Sequence, residues 1–246
     1  MRRIVTLLAF ACATLAAADA AELKVIAGGS MTASLKELAP KFEAASGHKL
    51  DLTFAATPEL IKMSTGAPFD LGVVPVDVLK NEGARTKYTA APPLNIARVG
   101  YGVAVKAGAP KPDVSTPDAL KATLLKAQSI TFIPESAAGA YVQKVFDRLG
   151  IANEMKAKTK PQTTTGAITQ AVAKGDAELG VFLTNVLIAP GVEPAGPFPG
   201  DLQNELVFVG AVAAESKDAA AAKAFLDYLK TPEAIAVFKA KGVTPG

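Results

Sequence analysis

Apolar residues along this chain follow two alternating rhythms, short continuous or every-other-residue runs and stretches with apolar positions three or four apart. Lys24–Ala27 reads as a strand that breaks at Gly28-Gly29, and Ser30 is placed to cap a helix carrying Leu35 and Leu38 on one face. That helix is predicted over Ala33–Ala45 and stops at Ser46-Gly47, where glycine supplies the left-handed turn. Lys49–Phe54 alternates as a strand does. Thr57 and Pro58 then offer a cap and a first helical residue for a short helix, Glu59–Met63, that ends by Gly66. Phe69–Val74 reads as the next strand, and Asp77–Glu82 as a helix stopped at Gly83.

Beyond Pro92-Pro93 the rhythm changes to a long β-like run, Asn95–Lys106, which suits a passage from one lobe to another. Ser115–Asp118 starts a helix through Leu120, Leu124 and Leu125, and Ile130–Ile133 is a strand. Pro134–Gly139 turns into a helix with Tyr141, Val145 and Leu149 at helical spacing, ended by Gly150. Lys156, Lys158 and Lys160 alternate, as on a solvated edge strand or loop. Thr163–Gly166 precedes a helix over Ala167–Ala173, Gly175 closes it, and Glu178–Leu183 is a strand. Pro190–Pro199 reads as a surface loop. Glu205–Ala213 is a second long β-like run and a candidate return crossing, followed by two helices, Ala219–Lys230 and Pro232–Lys239. Strands alternating with helices predict an α/β fold of sheets flanked by helices.

The first residues change the picture of where the chain works. Arg2-Arg3, the apolar stretch Ile4–Leu15 and Ala18-Asp19-Ala20 have the form of a secretory signal peptide over residues 1–20, so a periplasmic location is expected. The apolar stretch is too short for a bilayer core of roughly 30 Å. Cys12 is the sole cysteine, so the remaining chain can form no disulfide framework and no thiolate metal site. From 26 basic and 23 acidic residues, removing two arginines and one aspartate leaves 24 and 22, a net charge of +2. So balanced a charge argues against a nucleic-acid partner.

Candidate chemistry is sparse. His48, the single histidine, falls in a polar turn, and Asp70 lies in a strand with no second carboxylate at a useful spacing, which suits a structural hydrogen bond. No catalytic set, metal-ligand cluster or cofactor site is expected, and the chain reads as a non-enzyme. What recurs is a strand, a turn of small and hydroxyl residues, and a helix start: at Gly29–Met31, Ala56-Thr57, Ala137–Gly139 and Thr164–Gly166. The first amides of a helix lack intrahelical acceptors and lie at the positive end of its dipole, a geometry that binds anions. Two such turns fall before the run Asn95–Lys106 and two after it. If they converge on a cleft, they form a two-sided cradle for a small anion.

With these turns and the segments Thr65–Leu71, Ala138–Tyr141 with Leu149-Gly150, Lys174–Gly180 and Ala224–Lys230 with Pro232–Phe238, the chain resembles the molybdate-binding type of periplasmic solute-binding protein that serves ABC transporters. The resemblance implies a type II periplasmic-binding-protein fold, two α/β lobes, each a mostly parallel sheet flanked by helices, joined by two crossing strands. The lobes would be residues 21–97 with 206–246, and 98–205. It also implies a small oxyanion cargo, molybdate or tungstate first, delivered by a monomer to a membrane permease and its ATPase. Carried over, the ligand positions are Ser30 and the amide of Met31, then Thr57, and the amides of Ala138 and Thr165. Leu183 stands where that family commonly has a ligand-binding tyrosine, with Thr184 or Asn185 beside it as a substitute donor. A bulkier or partly apolar anion, such as a carboxylate or sulfonate, tolerates that replacement better and is the alternative cargo.

Overall fold

The computed structural model describes residues 20–246, so the expected leader over residues 1–20, apart from Ala20, and Cys12 lie outside the described residues. The chain first folds β1 (Glu22–Gly28), α1 (Thr32–Ser46), β2 (Lys49–Ala55), α2 (Thr57–Gly66), β3 (Leu71–Pro75) and the single-turn α3 (Glu82–Arg85). A long strand, β4 (Leu94–Lys106), leads to α4 (Pro117–Lys126), β5 (Ile130–Phe132), α5 (Ala137–Arg148), α6 (Ala152–Lys158), β6 (Thr159–Pro161), α7 (Thr165–Lys174) and β7 (Leu179–Leu183). It returns through β8 (Val192–Pro197) and β9 (Glu205–Val212) and finishes with α8 (Ala219–Tyr228), α9 (Pro232–Ala240) and the two-residue β10 (Thr244–Pro245).

The strands hydrogen-bond in the order β2-β1-β3-β9-β4-β7-β5-β6, with β8 and β10 also paired to β4. Pairing is parallel where strand–helix–strand units dominate, in β2-β1-β3 and β6-β5-β7, and antiparallel wherever β4 and β9 take part. β4 does what its length suggests. Its residues Leu94–Gly100 pair with β9 and Tyr101–Val105 pair with β7, so one strand is shared by two sheets. Tyr101, just past the change of partner, is held at both ends of its peptide unit by the Gln203 carboxamide. Its amide donates to Gln203 Oε1 at 2.9 Å and its carbonyl accepts from Nε2 at 2.9 Å. Its ring packs between Tyr141 and Phe198, with centroids 4.7 and 5.9 Å away, and burial pushes its phenol well above the usual range.

α1 forms because Leu35, Leu38 and Phe42 recur on one face and bury against the sheet, and it ends at Gly47 with φ of 78°. Ser30, expected to cap this helix, does not do so. Gly29–Met31 form a 3-10 turn, the helix starts at Thr32, and no side chain caps it. Thr57 is likewise the first helical residue rather than the cap, which is Ala56. Gly83, expected as a stop, lies inside α3, because Val76–Lys80 is a 3-10 turn and the Asn81 side chain starts a new turn by accepting from the Ala84 amide.

Two further expectations change. The alternating lysines 156 and 158 belong to the last turn of α6, where they face the negative end of its dipole, and only Lys160 falls in β6. Pro190–Pro199 contains β8, which runs along β4 with Pro194 opposite Ala104 and Pro197 opposite Gly102. An outer strand can carry prolines, because it has ladder positions that require no amide donor.

One buried cluster runs through both sheets, from Val25, Leu35 and Phe42 to Val103, Phe132, Val145 and Val181, and a smaller one gathers Leu60, Phe69, Val74 and Tyr88. Asp70 is structural: its carboxylate accepts from the Lys24 amide at 2.8 Å and from the Ser216 hydroxyl at 2.7 Å. His48, in the polar turn after α1, is half-buried rather than exposed as a turn histidine is expected to be, accepting from the Ala21 amide at 3.1 Å and stacking on Phe42. No helix among the described residues is long and apolar enough to cross a membrane.

Candidate functional site

β1, β2, β5 and β7 all point their carboxyl ends at one place, and the loops leaving β1, β2, β5 and β6 each start a helix there. Ligands bind in such crevices because parallel strands followed by helices leave helix N-termini converging on a gap. Here the gap is a cleft of about 320 Å³, lined by the turns Gly28–Ser30, Ala55–Thr57, Ser136 with Ala138, and Thr163–Gly166. All four turns singled out in the sequence therefore meet. The N-termini of α1, α2, α5 and α7 face it, presenting amides with no intrahelical acceptor.

The hydroxyls of these turns are not equivalent. The Ser136 hydroxyl is consumed locally, donating to the Ile133 carbonyl at 2.8 Å and accepting from the Gly139 amide at 2.9 Å, and Thr164 caps α7 by accepting from the Ala167 amide. Thr57 Oγ1 accepts from the Ala137 amide at 3.0 Å, which leaves its own proton free to donate. Thr165 Oγ1 donates to the Gly29 carbonyl at 3.3 Å. Ser30 is buried against the cleft, and among the described residues no hydrogen bond engages its hydroxyl, while its carbonyl accepts from Asn185 Nδ2 at 2.7 Å.

Three of these bonds join the β1–β3 side of the cleft to the β5–β7 side: Thr57 to Ala137, Gly29 to Thr165, and Ser30 to Asn185. The cleft is thus closed by direct contact. Each such bond contributes on the order of 1 kcal/mol net.

Of the residues singled out from the sequence, Ser30, Thr57, Ala138, Thr165 and Leu183 line the cleft. Met31 lies next to it with its side chain fully buried in the core. Thr184 is outside the lining; its amide donates to the Gly100 carbonyl at 2.9 Å, tying β7 to the crossing strand instead. The sequence reading missed Thr32, Lys36, Ser136, Thr163 and the apolar wall made by Phe54, Ile133, Phe182, Leu206 and Phe208. The spacing of Thr32 and Lys36, four apart on the helix that leaves the first turn, was a usable signal. The wall was not, because its members come from distant strands.

Among the described residues, Lys36 is the one charged side chain of the lining, and no carboxylate, histidine or cysteine lies there. No group of three or more His, Cys, Asp or Glu side chains gathers among the described residues. The arrangement can hold an anion by hydroxyls, amides and one ammonium.

Fold and cleft together define a two-lobed binding protein. Residues 23–244 match the family of bacterial extracellular solute-binding proteins, and the chain belongs to it. It is 32% identical over 241 residues to an aconitate isomerase of Pseudomonas sp., covering 94% of this chain and 90% of that protein. It is 31% identical over 232 residues to the molybdate-binding protein ModA of Azotobacter vinelandii, with 92% and 91% covered. The solved periplasmic molybdate-binding protein of Azotobacter vinelandii has the same fold, with a TM-score of 0.73 at 19% identity over 90% of this chain and 98% of that one.

Proposed function

We propose that the chain captures a small anion rich in oxygen acceptors in this cleft, outside the cytoplasm, and delivers it to the permease and ATPase of an ABC transporter. The observation that carries this reading is the composition of the cleft: four helix N-termini, the hydroxyls of Ser30 and Thr57, one ammonium and, among the described residues, no carboxylate. Ligand contacts made to both sides at once favour the closed arrangement. The lobes are residues 21–97 with 206–246, and 98–205, and Ser30, Thr57, Ala138 and Thr165 supply the ligand contacts.

Molybdate and tungstate are the cargo to which the likeness to ModA points. A small carboxylate is the second reading, and a specific observation favours it. The cleft exceeds the needs of one tetrahedral anion, and Phe54, Phe182, Leu183 and Phe208 present carbon where such an anion needs donors. The likeness to an aconitate isomerase supports the same cargo class. We read the chain as binding its ligand without turning it over; the likeness to an aconitate isomerase makes turnover of a carboxylate the rival, which proton NMR of the aconitates decides.

Thermal shift and calorimetry of the purified protein against molybdate, tungstate, sulfate, phosphate and a panel of carboxylates and sulfonates test the reading. One class is expected to bind and to lose most of its affinity in the Ser30→Ala, Thr57→Ala double variant. Absence of binding by every anion, or unchanged affinity in that variant, would overturn it. Interconversion of cis- and trans-aconitate, followed by proton NMR, would overturn the non-enzymatic part.

A further inference from the structure

Among the described residues, the sole cation of the cleft has no ion-pair partner. Ten ion pairs join described side chains, and α1 supplies several of them: Glu37 with Lys241 at 2.7 Å, Lys41 with Glu233 at 3.3 Å, and Glu43 with Lys49 at 3.2 Å. Lys36, on the same helix, is in none of them. It shares a face with Thr32, one turn earlier, and both line the cleft. At a rise of 1.5 Å per residue, its Cα lies about 6 Å along the helix from that of Thr32, which itself follows the 3-10 turn holding Ser30, and helical side chains lean back toward the N-terminus. The ammonium therefore serves the mouth of the cleft, apart from the amides and hydroxyls at its base.

We propose that Lys36 determines specificity, selecting an organic anion with two or more carboxylates on a short carbon skeleton. One carboxylate takes the hydroxyls of Ser30 and Thr57 and the amide of Thr165, the skeleton lies against Phe54, Phe182, Leu183 and Phe208, and a second carboxylate meets Lys36. A tetrahedral oxyanion at the base of the cleft leaves Lys36 unused and sets acceptor oxygens against those apolar side chains, an uncompensated desolvation. A monocarboxylate uses the base and wall without the ammonium. The inference rests on the anion reading above, in its carboxylate form.

Calorimetry with trans-aconitate, succinate, crotonate and molybdate tests it on the wild type, Lys36→Met and Lys36→Arg. Because Lys36 is exposed and outside the core, all three proteins are expected to melt alike. Trans-aconitate and succinate are expected to bind the wild type more tightly than crotonate. In Lys36→Met the ratio of trans-aconitate to crotonate affinity should fall about tenfold or more, the range of one hydrogen bond to a charged group, and Lys36→Arg should restore most of it. An unchanged ratio in Lys36→Met, or tight molybdate binding with none by the di- and tricarboxylates, would overturn the role of Lys36 while leaving anion capture standing. Binding of none of the four would overturn both.

Discussion

Thr57 and Ala137 meet across the cleft, the threonine hydroxyl accepting the alanine amide at 3.0 Å. One oxygen thus ties the start of α2 to the start of α5 and still has a proton to give a ligand. Thr57→Val keeps the shape and removes both roles. We expect a loss of about 1 to 3 kcal/mol in anion binding and a larger radius of gyration without ligand by small-angle scattering. Wild-type affinity in Thr57→Val would show that the hydroxyl takes no part in capture.

Asn185 makes the second tie, from its Nδ2 to the Ser30 carbonyl, while its Oδ1 is buried without a partner among the described residues. Asn185→Leu removes the unpaired oxygen but also takes the donor from the Ser30 carbonyl, so stability should fall by only about 1 kcal/mol, the lost bond being partly offset. Affinity should fall, because the first turn is no longer held to the opposite side. Chemical denaturation and calorimetry separate the two effects, and a parallel loss of both would assign Asn185 to stability alone.

Gly139 and Gly166 both sit in the first turn of a cleft helix but answer differently to alanine. A Cβ on Gly139 would come 1.9 Å from the Ile133 carbonyl oxygen, backbone against backbone, whereas one on Gly166 would have open space. Gly139→Ala should cost about 2 kcal/mol or more by forcing α5 off β5. Gly166→Ala should be neutral or stabilising by up to about 1 kcal/mol. Equal melting temperatures for the two variants would contradict the packing at the third turn.

The contrast shows what could be read in advance. Small and hydroxyl residues at the four turns are local signals, because only they permit a sharp exit from a strand and a helix start, and all four turns reached the cleft. Which hydroxyl serves the ligand was not legible: Ser136 and Thr164 satisfy their own helices, and Thr57 serves its partner across the gap. Phe182 and Phe208 looked like ordinary strand residues, and only the sheet order brings β7 and β9 to one wall. β8 was hidden by prolines, since a loop and an outer strand share that composition.

Tyr88 gives the alkaline limb of stability a measurable cause. Burial pushes its phenol up to about 12, against a partial opposing effect of the Ser64 hydroxyl 3.1 Å away. The folded form holds the proton more tightly than the unfolded chain, whose phenol titrates near 10. The contribution is therefore complete below about pH 10 and fades as pH rises toward 12, by about 2 kcal/mol in all. Tyr88→Phe should lose stability less steeply than the wild type between pH 10 and 12 in urea titrations. Identical slopes would show that Tyr88 titrates alike in both states.

Gly100 stands opposite Glu205 in the β4–β9 ladder, at the point where β4 changes partners. Every residue between them belongs to an excursion that leaves the first sheet and comes back to the same rung. In topological terms the second lobe is an insertion, and neighbouring strands are close enough there for a two-residue turn to replace it. A miniature built from the first lobe and such a turn retains Ser30 and Thr57, and would present half of the cradle on a separate scaffold.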